Sequence, residues 1–156
     1  MERKGDFGCE FEAKSLIVPL DILEQVIQHL EAALPFEGGG LLFGRRYVTG
    51  WNVDGFEPMA SRIPDPQKYE ADPRGVVAAV LKAKASGLDI LATVHSHPSS
   101  AAVPSSKDLT EAFGYHEMAH GIVSFKGATP DVKFYLYQKV EQAYLFYPLS
   151  MKLTNL

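Results

Sequence analysis

Asp89-Ile90-Leu91-Ala92-Thr93-Val94 is apolar at even and odd positions alike and runs straight into His95-Ser96-His97-Pro98. A strand of that composition is buried on both faces, so it belongs inside a sheet with helices on either side. Its carboxyl end is constrained further. Side chains alternate along a strand, so His95 and His97 point to one side and can approach a single metal ion together, while Ser96 points to the opposite face and reads as structural. Pro98 fixes φ where the chain turns away.

A carboxylate follows at a fixed distance in Ser105-Ser106-Lys107-Asp108. Two imidazoles and one carboxylate, with a fourth position left to water, make a catalytic rather than a structural zinc site. Ser105-x-x-Asp108 also resembles a capping box with Asp in place of Glu or Gln. The two roles are compatible, since a cap would hold Asp108 in the first helical turn, facing back toward the strand. H-x-H-P-x6-S-x-x-D arises by chance in roughly one chain of this length in 10^5, so its parts are read together.

This segment resembles the JAMM (MPN+) motif of the Mov34/MPN/PAD-1 metalloprotease family, in which a distant Glu precedes a glycine-containing hydrophobic strand. Pro35-Phe36-Glu37-Gly38-Gly39-Gly40-Leu41-Leu42-Phe43-Gly44 fits that description. The resemblance runs from about Leu16 to about Tyr137 and points to a compact prokaryotic-type member. It implies an α/β protein of the MPN fold, a cytidine-deaminase-like mixed β-sheet flanked by helices. It also implies one zinc ion (Zn2+) per chain held by His95, His97 and Asp108, with Glu37 as general base and acid and Ser105 as donor to the oxyanion. The implied reaction is hydrolysis, by metal-activated water, of an isopeptide or peptide bond after the carboxyl-terminal Gly-Gly of ubiquitin or a ubiquitin-like, sulfur-carrier-type protein. Spacing alone equally nominates Glu57 or Glu70 as the base. Many compact members carry Cys where this chain has Gly39, a departure that bears on packing because the position lies outside the catalytic set. In larger members an insertion after the metal motif helps to clamp the ubiquitin partner. Here that place is short, which leaves recognition to the core and to the stretch from Asp54 to Asp72. Two other functions stay open: a metal-free MPN scaffold or partner-binding module, against which the complete ligand set argues, and a zinc amidase or peptidase for small substrates.

The remaining sequence sets the frame. A chain of 156 residues, 46% hydrophobic and 22% charged, suits one soluble domain, taken as residues 14–156 after a loose tail at 1–13. A net charge of -4 without a basic, aromatic-interleaved patch argues against a nucleic-acid partner. Cys9 is the only cysteine, which excludes an internal disulfide and a thiolate zinc site and suits a reducing compartment. Without a secretory or membrane-length apolar run, the expected location is the cytoplasm, with no membrane association. Oligomeric state is not legible.

A strand is expected at 15–18 and an amphipathic helix at 20–33, with Ile22, Leu23, Val26, Ile27 and Leu30 inward and His29 partly exposed. A strand follows from Gly39 to Tyr47, then a turn and a second strand to Val53. Asp54 to Asp72, with Pro58, Pro64 and Pro66, reads mainly as loop with room for one strand, and equally as a cleft rim or a plain connector. Pro73 starts a helix with Val76, Val77, Val80 and Leu81 inward, ending at Gly87. A helix from about Ser106 to Phe113 precedes strands at 120–125, 132–138 and 143–146. His116 and His120 read as surface or core histidines rather than ligands, and Asp72, Asp89 and Asp131 as caps or turn residues.

Overall fold

The computed structural model describes residues 15–111 and 118–155. The expectations for the tail, for Cys9, for His116 and for the last turn of the 106–113 helix fall outside them. The elements in chain order are β1 (Leu16–Pro19), α1 (Leu20–Ala32), β2 (Gly39–Tyr47), β3 (Gly50–Met59), α2 (Pro73–Ala85), β4 (Asp89–His97), α3 (Ser106–Glu111), β5 (Ala119–Ser124), β6 (Asp131–Val140), β7 (Ala143–Leu149) and β8 (Met151–Thr154). The strands form one mixed sheet in the order β7-β6-β5-β4-β2-β3-β1-β8, with β4 in its interior as its composition requires.

The two faces of the sheet are covered differently. On one, α1 lays Ile22, Leu23, Val26 and Leu30, the expected three-and-four stripe, over Leu42, Trp51, Val53, Val94, Val123 and Phe134. On the other, α2 packs Ala79 and Ala83, with Val76 and Val80 beside them, onto Leu41 and Ile90. Val77 and Leu81 were expected in that interface, yet they are 56% and 64% exposed. Steps of three and four residues from Val76 lead through Ala79 and Val80 to Ala83, and Val77 and Leu81 lie one residue further round the helix. Asp72 caps α2, its carboxylate accepting from Arg74 N–H at 3.0 Å, and Gly87 follows the helix with φ +75°.

β3 reaches Met59, so the first part of the expected 54–72 loop is strand. Gly44 pairs with Val53 but Phe43 with Gly55, leaving Asp54 as an extra residue. That bulge shifts the inward alternation from Trp51 and Val53 to Phe56, which hides the continuation. Pro58 is tolerated because β1 flanks β3 only at Trp51 and Asn52. β6 and β7 run past their expected ends, and β8, which was not expected, pairs in parallel with β1.

Candidate metal centre

β4 delivers both histidines from the sheet interior. Ala92 and Val94 belong to the α1-side core, whereas Thr93 and His95 line a cavity with Val76 and Val80 of α2, so the alternation holds to the end of the strand. Asp108 arrives in the first turn of α3. Its Oδ1 stands 3.3 Å from His95 Nε2 and its Oδ2 3.1 Å from His97 Nε2, and the two Nε2 atoms are 3.2 Å apart. Donors about 2.0–2.1 Å from a tetrahedral ion stand about 3.3 Å from one another; the imidazole–imidazole contact and the contact of each imidazole with its own carboxylate oxygen are all of about that length, and one donor atom from each residue lies within 4.8 Å of the others. The chemistry of the donors agrees. His97 Nδ1 lies 2.8 Å from the Ala101 carbonyl, which can only accept, so neutral His97 carries its proton on Nδ1 and turns the Nε2 lone pair toward an oxygen that also only accepts. A cation or a shared proton is needed there. In the structure itself, burial opposes charge on His97, but the hydrogen bonds to Asp108 and Ala101 hold its pKa above the ordinary value. Burial likewise opposes charge on Asp108, whose bonds to His95 and His97 keep it ionised far below the usual carboxylate range.

Glu37 comes to this centre through the sheet. Gly39 is paired with His95 across the antiparallel β2–β4 ladder, which sets the residue two positions before Gly39 beside the ligands. Glu37 N–H donates to the Asp65 carbonyl at 2.9 Å, and the residue is only 7% exposed. Burial pushes its carboxyl up to about 7, against the pull of His95 and His97. The two competing glutamates are elsewhere: Glu57 pairs with Lys82 at 3.8 Å, and Glu70 is exposed on the cavity rim.

Ser105 caps α3 reciprocally with Asp108. Ser105 Oγ accepts from Asp108 N–H at 3.0 Å, and Ser105 N–H donates to Asp108 Oδ2 at 2.9 Å. The cap thus fixes the candidate ligand. Ser105 also remains beside the metal triangle with a hydroxyl proton to offer.

From the triangle a cavity of about 290 Å³ runs under the 67–71 segment toward α2, with Glu37, His95 and Asp108 at one end. Its roof is Tyr69. A Cβ placed on Gly39 would stand 2.5 Å from that ring, and Tyr69 Oη donates to the Met59 carbonyl at 2.8 Å, so the missing side chain at Gly39 is the seat of the loop. The stretch after β3 is therefore a wall of the cleft. Thr93, His120 and Tyr137 form another part of the lining that the sequence did not single out as a group. His120 Nδ1 lies 2.9 Å from Thr93 Oγ1 and its ring stacks on Tyr137 at 4.1 Å, which makes it a buried core histidine outside the ligand triangle. The Tyr137 hydroxyl is buried with no hydrogen-bond partner among the described residues, and burial, with Asp108 nearby, pushes its pKa up. Strand parity in β4, β5 and β6 was the signal that could have placed all three on the ligand face.

Comparison with known proteins agrees with this geometry. The family described as prokaryotic homologs of the JAB domain matches residues 19–137. The chain is 37% identical over 111 residues, 69% of its length and 72% of the relative's, to a probable TtuB-protein conjugate cleaving protease of Thermus thermophilus. It is 27% identical over 100 residues, 64% of its length and 68% of the relative's, to the desampylase of Pyrococcus furiosus. Among solved structures, a protein of Desulfitobacterium hafniense superimposes with a TM-score of 0.79 at 27% identity, covering 90% of this chain and 93% of that one. A protein of Salinibacter ruber gives 0.64 at 26% identity, covering 88% and 90%. The matched span holds Glu37, His95, His97, Ser105 and Asp108 together, and the chain belongs to the prokaryotic homologs of the JAB domain.

Proposed function

We propose that this protein is a zinc-dependent protease that cleaves the isopeptide or peptide bond after the carboxyl-terminal Gly-Gly of a ubiquitin-like or sulfur-carrier-type protein. One observation supports it above all: two imidazole nitrogens and a carboxylate, their donor atoms within 4.8 Å of one another, stand beside a buried carboxyl pushed up to about 7. His95, His97 and Asp108 would hold the zinc ion, which supplies Lewis acidity for lowering the pKa of water and polarising a carbonyl. Glu37 takes the proton of the attacking water as its oxygen bonds to the carbonyl carbon. The same proton goes to the amide nitrogen as the C–N bond breaks, so one carboxyl beside the metal centre serves first as base and then as acid. The Ser105 hydroxyl donates a hydrogen bond to the oxyanion and keeps its proton. Tyr69 and the 60–71 stretch narrow the cleft, which favours a tail without side chains next to the scissile bond.

The names of the two relatives support a substrate made by joining a small protein to another protein. Residues 14–156 act as one domain, and a single cysteine suits the cytoplasm. Among the described residues no helix is long and apolar enough to cross a membrane. The test is cleavage of a ubiquitin-like protein linked through Gly-Gly to a lysine-bearing fluorescent peptide, against the same conjugate with an Ala-Ala tail and against short peptides. Expected are chelator-sensitive cleavage of the first and much slower cleavage of the second. Equal rates on both tails, or preference for the short peptides, would assign the enzyme to small substrates instead.

A further inference from the structure

The serine between the two histidines is fully buried on the α1 side, away from the metal triangle. There it meets Gly38, its partner by register next to the Gly39–His95 pair. In a regular antiparallel ladder such a pair exchanges two backbone bonds or none. Here one is regular, Ser96 N–H donating to the Gly38 carbonyl at 3.0 Å, and the other is replaced: Gly38 N–H donates to Ser96 Oγ at 2.9 Å. The side chain takes over from its own carbonyl, and the strand leaves the ladder at the residue next to Glu37. Glu37 N–H meanwhile turns to Asp65.

We propose that Ser96 is a positioning residue for the Glu37 carboxyl: its hydroxyl diverts Gly38 out of the ladder and so sets the direction in which Glu37 enters the site. The role rests on Glu37 being the general base. It asks nothing of the metal ligands, because the hydroxyl acts on the opposite face of the sheet. Ser96 thereby links the strand that carries the ligands to the segment that carries the base, through one side chain and across 58 residues of sequence.

A double-mutant cycle on the zinc-loaded enzyme tests this, with the Gly-Gly conjugate as substrate. Ser96→Ala is expected to keep the metal and KM but to lower kcat by about tenfold to 10^2-fold, the scale of a misplaced reacting group. Ser96→Thr, which retains the oxygen, should restore most of it. In the Glu37→Gln background Ser96→Ala should cost less than about twofold further, because there is no base left to misplace. The amide proton of Gly38 should exchange much faster in Ser96→Ala than in the parent. If Ser96→Ala does not fold, Ser96→Cys, with a weak sulfur acceptor of similar size, takes its place in the same cycle. An unchanged kcat, a loss equal in both backgrounds, or a loss matched by departing zinc would overturn the proposal. A Glu37→Gln enzyme with near-parent kcat would instead overturn the base assignment itself.

Discussion

Replacing Glu37 by Gln should make the metal-free protein more stable at alkaline pH while removing its activity. Holding this carboxyl at about 7, against an ordinary value of 4.5, costs its ionised form roughly 3 kcal/mol in the folded state. Because the folded value is the higher one, the stability that Glu37 contributes is fully present below about pH 4.5. It is lost as the pH rises through 7. Gln has the same size and never ionises. After chelator treatment the variant should therefore match the parent near pH 4.5 and exceed it by about 2–3 kcal/mol at pH 8. In a domain of this size that is about 4–12 °C in Tm. Zinc should shrink the difference, since a cation beside the carboxylate favours its ionised form. Urea denaturation of both proteins at the two pH values, with and without zinc, is the assay. Equal stability of the two metal-free proteins at pH 8 would mean that no desolvation cost is stored in Glu37. The acid-base role would then lose its physical basis, whatever happened to the rate.

Three further outcomes are expected. His97→Ala should remove most of the zinc measured by elemental analysis yet leave a cooperative Tm, because the core lies in α1, α2 and the sheet rather than around the ion. Ser105→Ala should cost about 1 kcal/mol as a lost cap, seen in Tm, and should also lower kcat more than it raises KM. A fall in Tm alone would leave Ser105 as a cap. Gly39→Ala should displace the Tyr69 ring from its seat, which limited proteolysis of the 60–71 stretch would report as faster cutting. Unchanged cutting would show that the loop is held by its other bonds, among them Glu37 N–H to Asp65 and Arg62 N–H to Glu70.

How much could be read from the chain alone follows from the range of each interaction. β4 was legible to its last residue, since burial on both faces leaves a continuous apolar run and strand parity is a local rule that puts His95 and His97 together. Asp108 was legible because its cap to Ser105 spans three residues. The inward face of α2 was misread by one helical position at Val77 and Leu81: four valines and leucines outweighed the alanines that let the helix approach the sheet. β8 was missed because its pairing with β1 joins residues from opposite ends of the chain.

Glu37 is the instructive case. Resemblance nominated it, while spacing left Glu57 and Glu70 as equals, because what distinguishes the three is tertiary. Glu57 gains an ammonium partner on α2 and Glu70 gains water, so neither is a buried carboxyl left by itself. Glu37 gains neither. The β2–β4 register carries it to the candidate ligands, Asp65 and Ser96 hold the backbone on either side of its carbonyl, and the carboxyl is left buried with no ion-pair partner of its own among the described residues. A buried carboxyl beside three candidate ligands is destabilising unless a cation joins it. A sequence selected for stability alone would have placed Gln or Leu there, and a buried carboxyl at this position is what the proposed acid-base role of Glu37 requires.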